Sequence, residues 1–251
     1  MRILLTNDDG IFAEGLCALY DVLCQDHEVF VVAPEAERSA VGHAITIADP
    51  LRVKKVKRGN KFFGYAVNGT PADCVKIAIY ELIGPNIDLV LSGINRGANV
   101  GINVLYSGTV SAATEGVILG YPGIAVSLNE YQEPDYCFAA YFTSCLLESL
   151  KREIFSEKIC LNVNIPFLPA NEIRGVKFVR QSAAPLVEKF EKRIDPHGNI
   201  YYWQCSERFT ETDPETDVVA LHQGFITITP LHHNLTSFKV LKELSSWKIK
   251  F

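Results

Sequence analysis

No stretch of this 251-residue chain approaches the ~18 consecutive apolar residues that a membrane-spanning helix needs. Basic charge is not in excess either: 24 Lys+Arg stand against 29 Asp+Glu, a net charge of −5. That balance argues against a general nucleic-acid binder, whose footprint is basic. It leaves room for a phosphorylated ligand, because a metal ion and backbone amides supply positive character locally. The seven cysteines are odd in number and irregular in spacing, and none forms C-x-x-C. Zinc and thioredoxin-like sites therefore lack their ligands. Cys17, Cys74 and Cys160 lie among apolar neighbours and read as buried free thiols, which suits a reducing, cytoplasmic compartment. The first segment turns acidic at Asp8, unlike a signal peptide.

Several catalytic signatures are missing as well. The chain has no G-x-x-x-x-G-K-[ST], no G-x-G-x-x-G after its first strand and no G-x-S-x-G. No cysteine is followed six residues later by arginine, which disfavours a cysteine phosphatase. The paired aspartates are contiguous rather than Asp-x-Asp, which disfavours an aspartyl-phosphate enzyme. His232-His233 lacks the i, i+4 spacing of a helical zinc site.

What remains is an ordinary globular composition, 48% hydrophobic and 21% charged. A chain of this length buries roughly 70–75% of its unfolded surface and needs no disulfide or metal to fold. Arg2 to Thr6 is an apolar strand-like run, residues 14–25 have helical periodicity, and Val29 to Ala33 is a second apolar run. Strands without polar alternation, separated by helices, predict a parallel sheet covered on both faces. Further on, 51–56 and 62–67 read as a hairpin and 71–82 as a helix capped by Thr70 with Pro71 in its first turn. Residues 87–92 read as a strand and 93–106 as a Gly/Asn-rich loop. Segments 109–119 and 135–151 read as helices, 124–128 and 159–165 as strands. The expected class is α/β, with a Rossmann-like three-layer core at 1–168. Residues 169–251 are expected to form an extended, hairpin-containing extension with too few apolar residues per segment for a strong core of its own.

In open parallel sheets ligands bind beyond the carboxyl ends of the strands. Asp8 and Asp9 follow the first strand, Ser39 lies in the loop after the second, and Asn95 and Asn99 follow the 87–92 strand. These loops should converge. Two carboxylates with amide and hydroxyl oxygens form a hard donor set that suits Mg²⁺ or Mn²⁺ better than zinc. Both aspartates reach one ion only if the chain turns between them, as Gly10 permits. On spacing alone, a plain polar turn before the first helix accounts for Asn-Asp-Asp-Gly equally well. Ser107-Gly108-Thr109 resembles an anion-binding helix start, with free N–H groups and the positive dipole end facing a ligand. An ordinary Ser or Thr cap is the commoner meaning of such a segment. His43, in the Ser39 loop, reads either as a phosphate contact or as a surface residue.

The motifs Thr6-Asn7-Asp8-Asp9-Gly10, Ala33-Pro34 through Arg38-Ser39, Gly69-Thr70-Pro71-Ala72-Asp73, Ser92-Gly93-Ile94-Asn95-x-Gly97-x-Asn99 and Tyr106-Ser107-Gly108-Thr109-Val110 together resemble the SurE (survival protein E) family. Asn162-Val-Asn-Ile-Pro166 and Gly224-Phe-Ile-Thr-Ile-Thr-Pro-Leu231 continue the resemblance, which runs in order along essentially the whole chain. It implies a metal-dependent phosphatase acting on nucleoside 5′- and 3′-monophosphates. An exopolyphosphatase and a non-catalytic nucleotide sensor are the alternatives. It also implies one divalent ion per subunit, Mg²⁺ or Mn²⁺, on Asp8, Asp9, Ser39 and Asn95, with Asp8 and Asp9 catalytic. Asn95, Asn99, Ser107, Gly108 and Thr109 would contact the substrate. The family implies dimers or tetramers that exchange C-terminal elements. After Ser39 the chain reads Ala-Val-Gly-His, where the family pattern has more small hydroxyl residues.

Overall fold

The computed structural model describes residues 1–150 and 159–249. The end of the helix expected at 135–151 therefore lies outside the described residues. Among these, nine strands form one mixed, mostly parallel sheet in the order β3-β4-β2-β1-β5-β6-β7-β11-β8. Its centre is β1 (Arg2–Thr6), between β2 (Glu28–Pro34) and β5 (Leu89–Arg96), parallel to both. β6 (Gly123–Asn129) and β7 (Cys160–Pro166) continue in parallel. The hairpin expected at 51–67 is β3 (Val53–Arg58) and β4 (Lys61–Val67), which closes one edge.

Period-two alternation sends neighbouring residues of β1 to opposite layers. Ile3 and Leu5 pack with Leu16 and Leu19 of α1 (Glu14–Leu23) and with Ala139 and Leu147 of α4 (Cys137–Ser149). Leu4 faces the other way, toward Cys74 and Val75 of α2 (Pro71–Ile77) and Ala112 of α3 (Gly108–Ile118). This is the three-layer arrangement. Thr70 caps α2 in a reciprocal box with Asp73, and Pro71 opens it. The expected helix continues to Leu82, but its last turn widens, with Ile83 N donating to Ala78 O at 2.8 Å. α1 lies so close to β5 that a Cβ on Gly15 would fall 2.1 Å from the Ile94 carbonyl oxygen. Gly15→Ala is expected to destabilise the fold by about 1–3 kcal/mol, read as a lower urea midpoint at unchanged slope.

Two departures from the expected pattern matter for the site. The strand read as 87–92 runs on to Arg96, so Asn95 stands on β5 rather than in the following loop. A register shift between Ser92 and Asn95 against β6 accompanies this, a bulge that re-aims the strand end. The sheet is also not wholly parallel: β11 (Ile226–Leu231) runs antiparallel to β7, and β8 (Val176–Phe178) pairs with β11. Two strands from beyond residue 168 thus complete the main sheet. β9 (Leu186–Ile194) and β10 (Ile200–Phe209) form a separate two-stranded ribbon. Two short helices, α5 (Asp217–His222) and α6 (Phe238–Leu244), fill out the C-terminal region. Cys74 and Cys160 are buried free thiols, whereas Cys17 is only half-buried.

Candidate active site

The chain turns sharply after β1. Asn7 is fully buried, and its amide closes the turn: Nδ2 donates to Gly10 O at 2.9 Å and Gly10 N donates to Oδ1 at 3.2 Å. Gly10 supplies the positive φ of 103° that this turn requires. Arg38 N then donates to Asp8 O at 2.7 Å, which brings the Ser39 loop against the aspartates.

A cavity of about 530 Å³ opens at the carboxyl edge of the sheet, lined by Asp8, Ser39, Asn95, Asn99 and Ser107 among others. The loops expected to converge do converge. Asp9 touches the same region through Arg96 N, 3.4 Å from its Oδ2. Glycine is required at 108, because a Cβ there would lie 2.8 Å from Asp8 Cβ and 2.9 Å from Oδ2.

The electrostatics of the pair are unfavourable without a cation. Burial raises the Asp8 carboxyl, opposed by the hydroxyl and backbone amide of Thr109, with Glu37 adding a smaller upward push. Burial raises Asp9 to about 6, aided by the neighbouring charge of Asp8 and opposed by the Arg96 amide. Among the described residues, none of the ion pairs includes either aspartate. Two adjacent, desolvated carboxylates outside any of those ion pairs could hold a hard positive ion. The other donors match. The Asn95 amide nitrogen is committed to Gly97 O at 2.7 Å, which leaves its oxygen for a ligand. Ser39 donates its hydroxyl proton to Glu37 Oε1 at 2.6 Å, which leaves its lone pairs. Among the described residues no group of three His, Cys, Asp or Glu could hold a metal, so a softer nitrogen or sulfur site finds no support.

The remaining expected residues are placed as follows. Thr109 is fully buried and its hydroxyl donates to Asp8 Oδ1, so the N-terminus of α3 meets the carboxylate directly. Ser107 Oγ caps that helix by accepting from Val110 N at 3.1 Å. Asn99 lines the cavity while its Nδ2 donates to Ser127 Oγ at 2.9 Å. His43 is not on the cavity wall: its Nε2 lies 2.7 Å from Glu115 Oε2. Glu115 is buried on α3 and also accepts from Lys76 Nζ at 3.1 Å. Burial alone would raise the Glu115 carboxyl, but the bonds from His43 and Lys76 outweigh it and hold the group below its usual value. The Ser39 loop is thereby fastened to α3.

Tyr106, part of a motif read in the sequence, stands on the far wall, but the rest of that wall is not found by sequence reasoning. Tyr131 is more than half exposed there, and Glu188 and Gln204 reach it from the β9–β10 ribbon. Nothing local in the sequence marks those two residues as neighbours of Asp8. Glu37 was also missed, although its spacing two residues before Ser39 is a usable signal.

Fold and site together define a Rossmann-like α/β protein with an acidic, oxygen-donor pocket at its strand ends, the edge where ligands of such sheets bind. The model of the family described as Survival protein SurE matches residues 3–188, and the chain belongs to that family. It is 52% identical over 250 residues to a protein of Syntrophobacter fumaroxidans named 5′-nucleotidase SurE, covering 99% of this chain and all of that one. A protein of the same name from Petrotoga mobilis is 49% identical, with 98% and 99% covered. The crystal structure of the SurE protein from Aquifex aeolicus superposes with a TM-score of 0.85 at 40% identity, covering 98% of each chain.

Proposed function

We infer that this chain is a 5′-nucleotidase, a metal-dependent phosphomonoesterase that hydrolyses nucleoside 5′-monophosphates, and also 3′-monophosphates, to nucleoside and phosphate. The observation that carries the reading is the Asp8–Asp9 pair, Asp8 buried and Asp9 partly so, in none of the ion pairs among the described residues, beside a helix N-terminus and a cavity of nucleotide size.

Asp8, Asp9, Ser39 and Asn95 would hold one divalent ion, Mg²⁺ or Mn²⁺ by the hardness of the donors. Bound there, the ion would supply Lewis-acid polarisation of the phosphoryl group and acidify a water. The protein residues do the rest. Asp9, beside Asp8 at the strand end, would accept the proton of the attacking water. Thr109 holds Asp8 in place through its hydroxyl. The amide at Gly108 and the positive end of α3 favour the charge that develops on the phosphoryl oxygens. Asn95 and Ser107 add polar groups along the wall where the phosphate lies, and Asn99 lines the wall facing the rest of the substrate.

Phosphate release from a panel of mononucleotides and short polyphosphates, with and without EDTA, tests the reading. Nucleoside monophosphates should be cleaved in preference to polyphosphate. Chelation should abolish release and lower the melting temperature at pH 7–8, because the two carboxylates then face each other unscreened. Release that survives chelation contradicts the metal site. Nucleotide binding without release indicates a sensor.

We further propose that 1–168 is the phosphatase core and 169–251 an extension that packs on it, completes its sheet with β11 and β8, and has its ribbon and last helix exchanged between subunits of a homodimer or homotetramer. Exposed Phe190, Trp203, Phe238, Leu241 and Trp247 in the extension support this. No helix among the described residues is long and apolar enough to cross a membrane. The free thiols suit a cytoplasmic location.

A further inference from the structure

The loop after β5 carries much of the cavity wall, namely Gly97, Ala98, Asn99, Asn103 and Tyr106. Val100 packs with Val218 and Leu221, and Val104 with Val110 and Ala113, while Gly97 and Gly101 between and before them adopt positive φ. The loop backbone is in addition gripped at alternate residues. At Asn99 the N–H donates to Asn164 Oδ1 at 2.7 Å, and the C=O accepts from Asn164 Nδ2 at 3.1 Å and from Asn162 Nδ2 at 2.7 Å. At Gly101 the N–H donates to Asp217 Oδ2 at 2.9 Å, and the C=O accepts from Gln181 Nε2 at 2.7 Å. Asn164 thus does for Asn99 what a neighbouring strand would do, serving donor and acceptor of one residue. Asp217, fully buried at the start of α5, also receives Ser182 N and Val218 N, and so ties the loop to two further segments.

We propose that Asn164 and Asp217, with Gln181, are positioning residues of the active site: they set the loop 97–106 against the nucleoside part of the substrate. None of the three lines the cavity, so each acts only through the loop. The inference rests on the phosphomonoesterase reading of the cavity. It gives the region beyond residue 168 a role within its own subunit, because both Gly101 contacts come from there. A lost side-chain partner leaves a buried backbone group unsatisfied, and the loop relaxes to recover that bond.

The test compares Asn164→Leu, Asp217→Asn and Gln181→Met with wild type on a nucleoside 5′-monophosphate and on p-nitrophenyl phosphate. Amide hydrogen exchange is followed in parallel. Leu and Met keep the volume while deleting the bonds. Gln181 is only half-buried, so its variant retains the fold should the buried changes fail. For Asn164→Leu and Asp217→Asn, kcat/KM on the nucleotide should fall about tenfold or more, chiefly through KM, with a several-fold loss for Gln181→Met. Hydrolysis of the aryl phosphate, which lacks a nucleoside, should stay within about threefold of wild type. Amides of 97–106 should exchange faster while those of β1 and β5 do not. A loosened loop with unchanged nucleotide kinetics overturns the proposal. So does an equal loss on both substrates, which marks a merely structural role. Wild-type protein that cleaves no nucleotide refutes the phosphomonoesterase reading instead, and the exchange data still report whether the clamp exists.

Discussion

Turnover of nucleoside 5′-monophosphates should fall roughly 10²–10³-fold on replacing Asp9 by Asn, with the fold retained. The change is isosteric, removes one anionic donor for the metal and removes the proton acceptor. Steady-state assays at saturating Mg²⁺ or Mn²⁺ measure it, and near wild-type turnover would sink the assignment of Asp9. Stability moves in the opposite direction. Burial and the charge of Asp8 raise the Asp9 carboxyl to about 6 in the folded chain, against an ordinary value of 3.8. The unfolded chain therefore binds fewer protons between these values, and stability falls as pH rises through that window. The cost is fully present above pH 6 and is relieved as pH drops toward 4. Metal-free Asp9→Asn should accordingly be more stable than metal-free wild type at pH 7–8, by about 2 kcal/mol once the ~3 kcal/mol of the full shift is reduced for solvent screening at this partly exposed carboxyl, and the difference should shrink by pH 4. Denaturant titration after chelation measures both ends of that window.

The second large effect is expected from a single methyl group. Gly108→Ala places a Cβ 2.8 Å from Asp8 Cβ and 2.9 Å from its Oδ2, closer than real atoms approach. Asp8 must swing away, and it cannot do so without breaking its bond to Thr109. Displacing a reacting group by about 1 Å costs on the order of 10² in rate, so kcat/KM should fall by about that factor. Alanine is the better helix former by about 1 kcal/mol, so melting should change much less than activity. Activity close to wild type would mean that Asp8 tolerates displacement and is not a fixed ligand.

The site was largely legible in the sequence because its chemistry sits in short contiguous motifs at strand ends. Asp8 and Asp9, Ser39, Asn95 and the start of α3 each follow a readable strand or open a readable helix, and parallel topology brings such ends together. The layer arrangement was legible for the same reason, since β1 and β7 are continuous apolar or buried runs. What was hidden depends on contacts distant in the chain. The antiparallel seat of β11 joins segments more than sixty residues apart, as in Thr227 opposite Asn164, and no local periodicity encodes it. The pairing of His43 with Glu115 spans 72 positions, which is why a lone histidine in a loop read ambiguously. The bond from Thr109 to Asp8 crosses 101 positions and turns what looked like a free anion site into support for a carboxylate. Asn95 was misplaced into a loop because the bulge after Ser92 lengthens the strand without changing its composition.

The ribbon of β9 and β10 contributes Glu188 and Gln204 to the cavity yet shares no ladder with the main sheet. The proposed hydrolytic groups stand on the main sheet and α3, whereas two of those on the far wall stand on a separate ribbon. Substitutions at Glu188 and Gln204 should therefore alter which nucleotides are accepted more than they alter hydrolysis at Asp8 and Asp9.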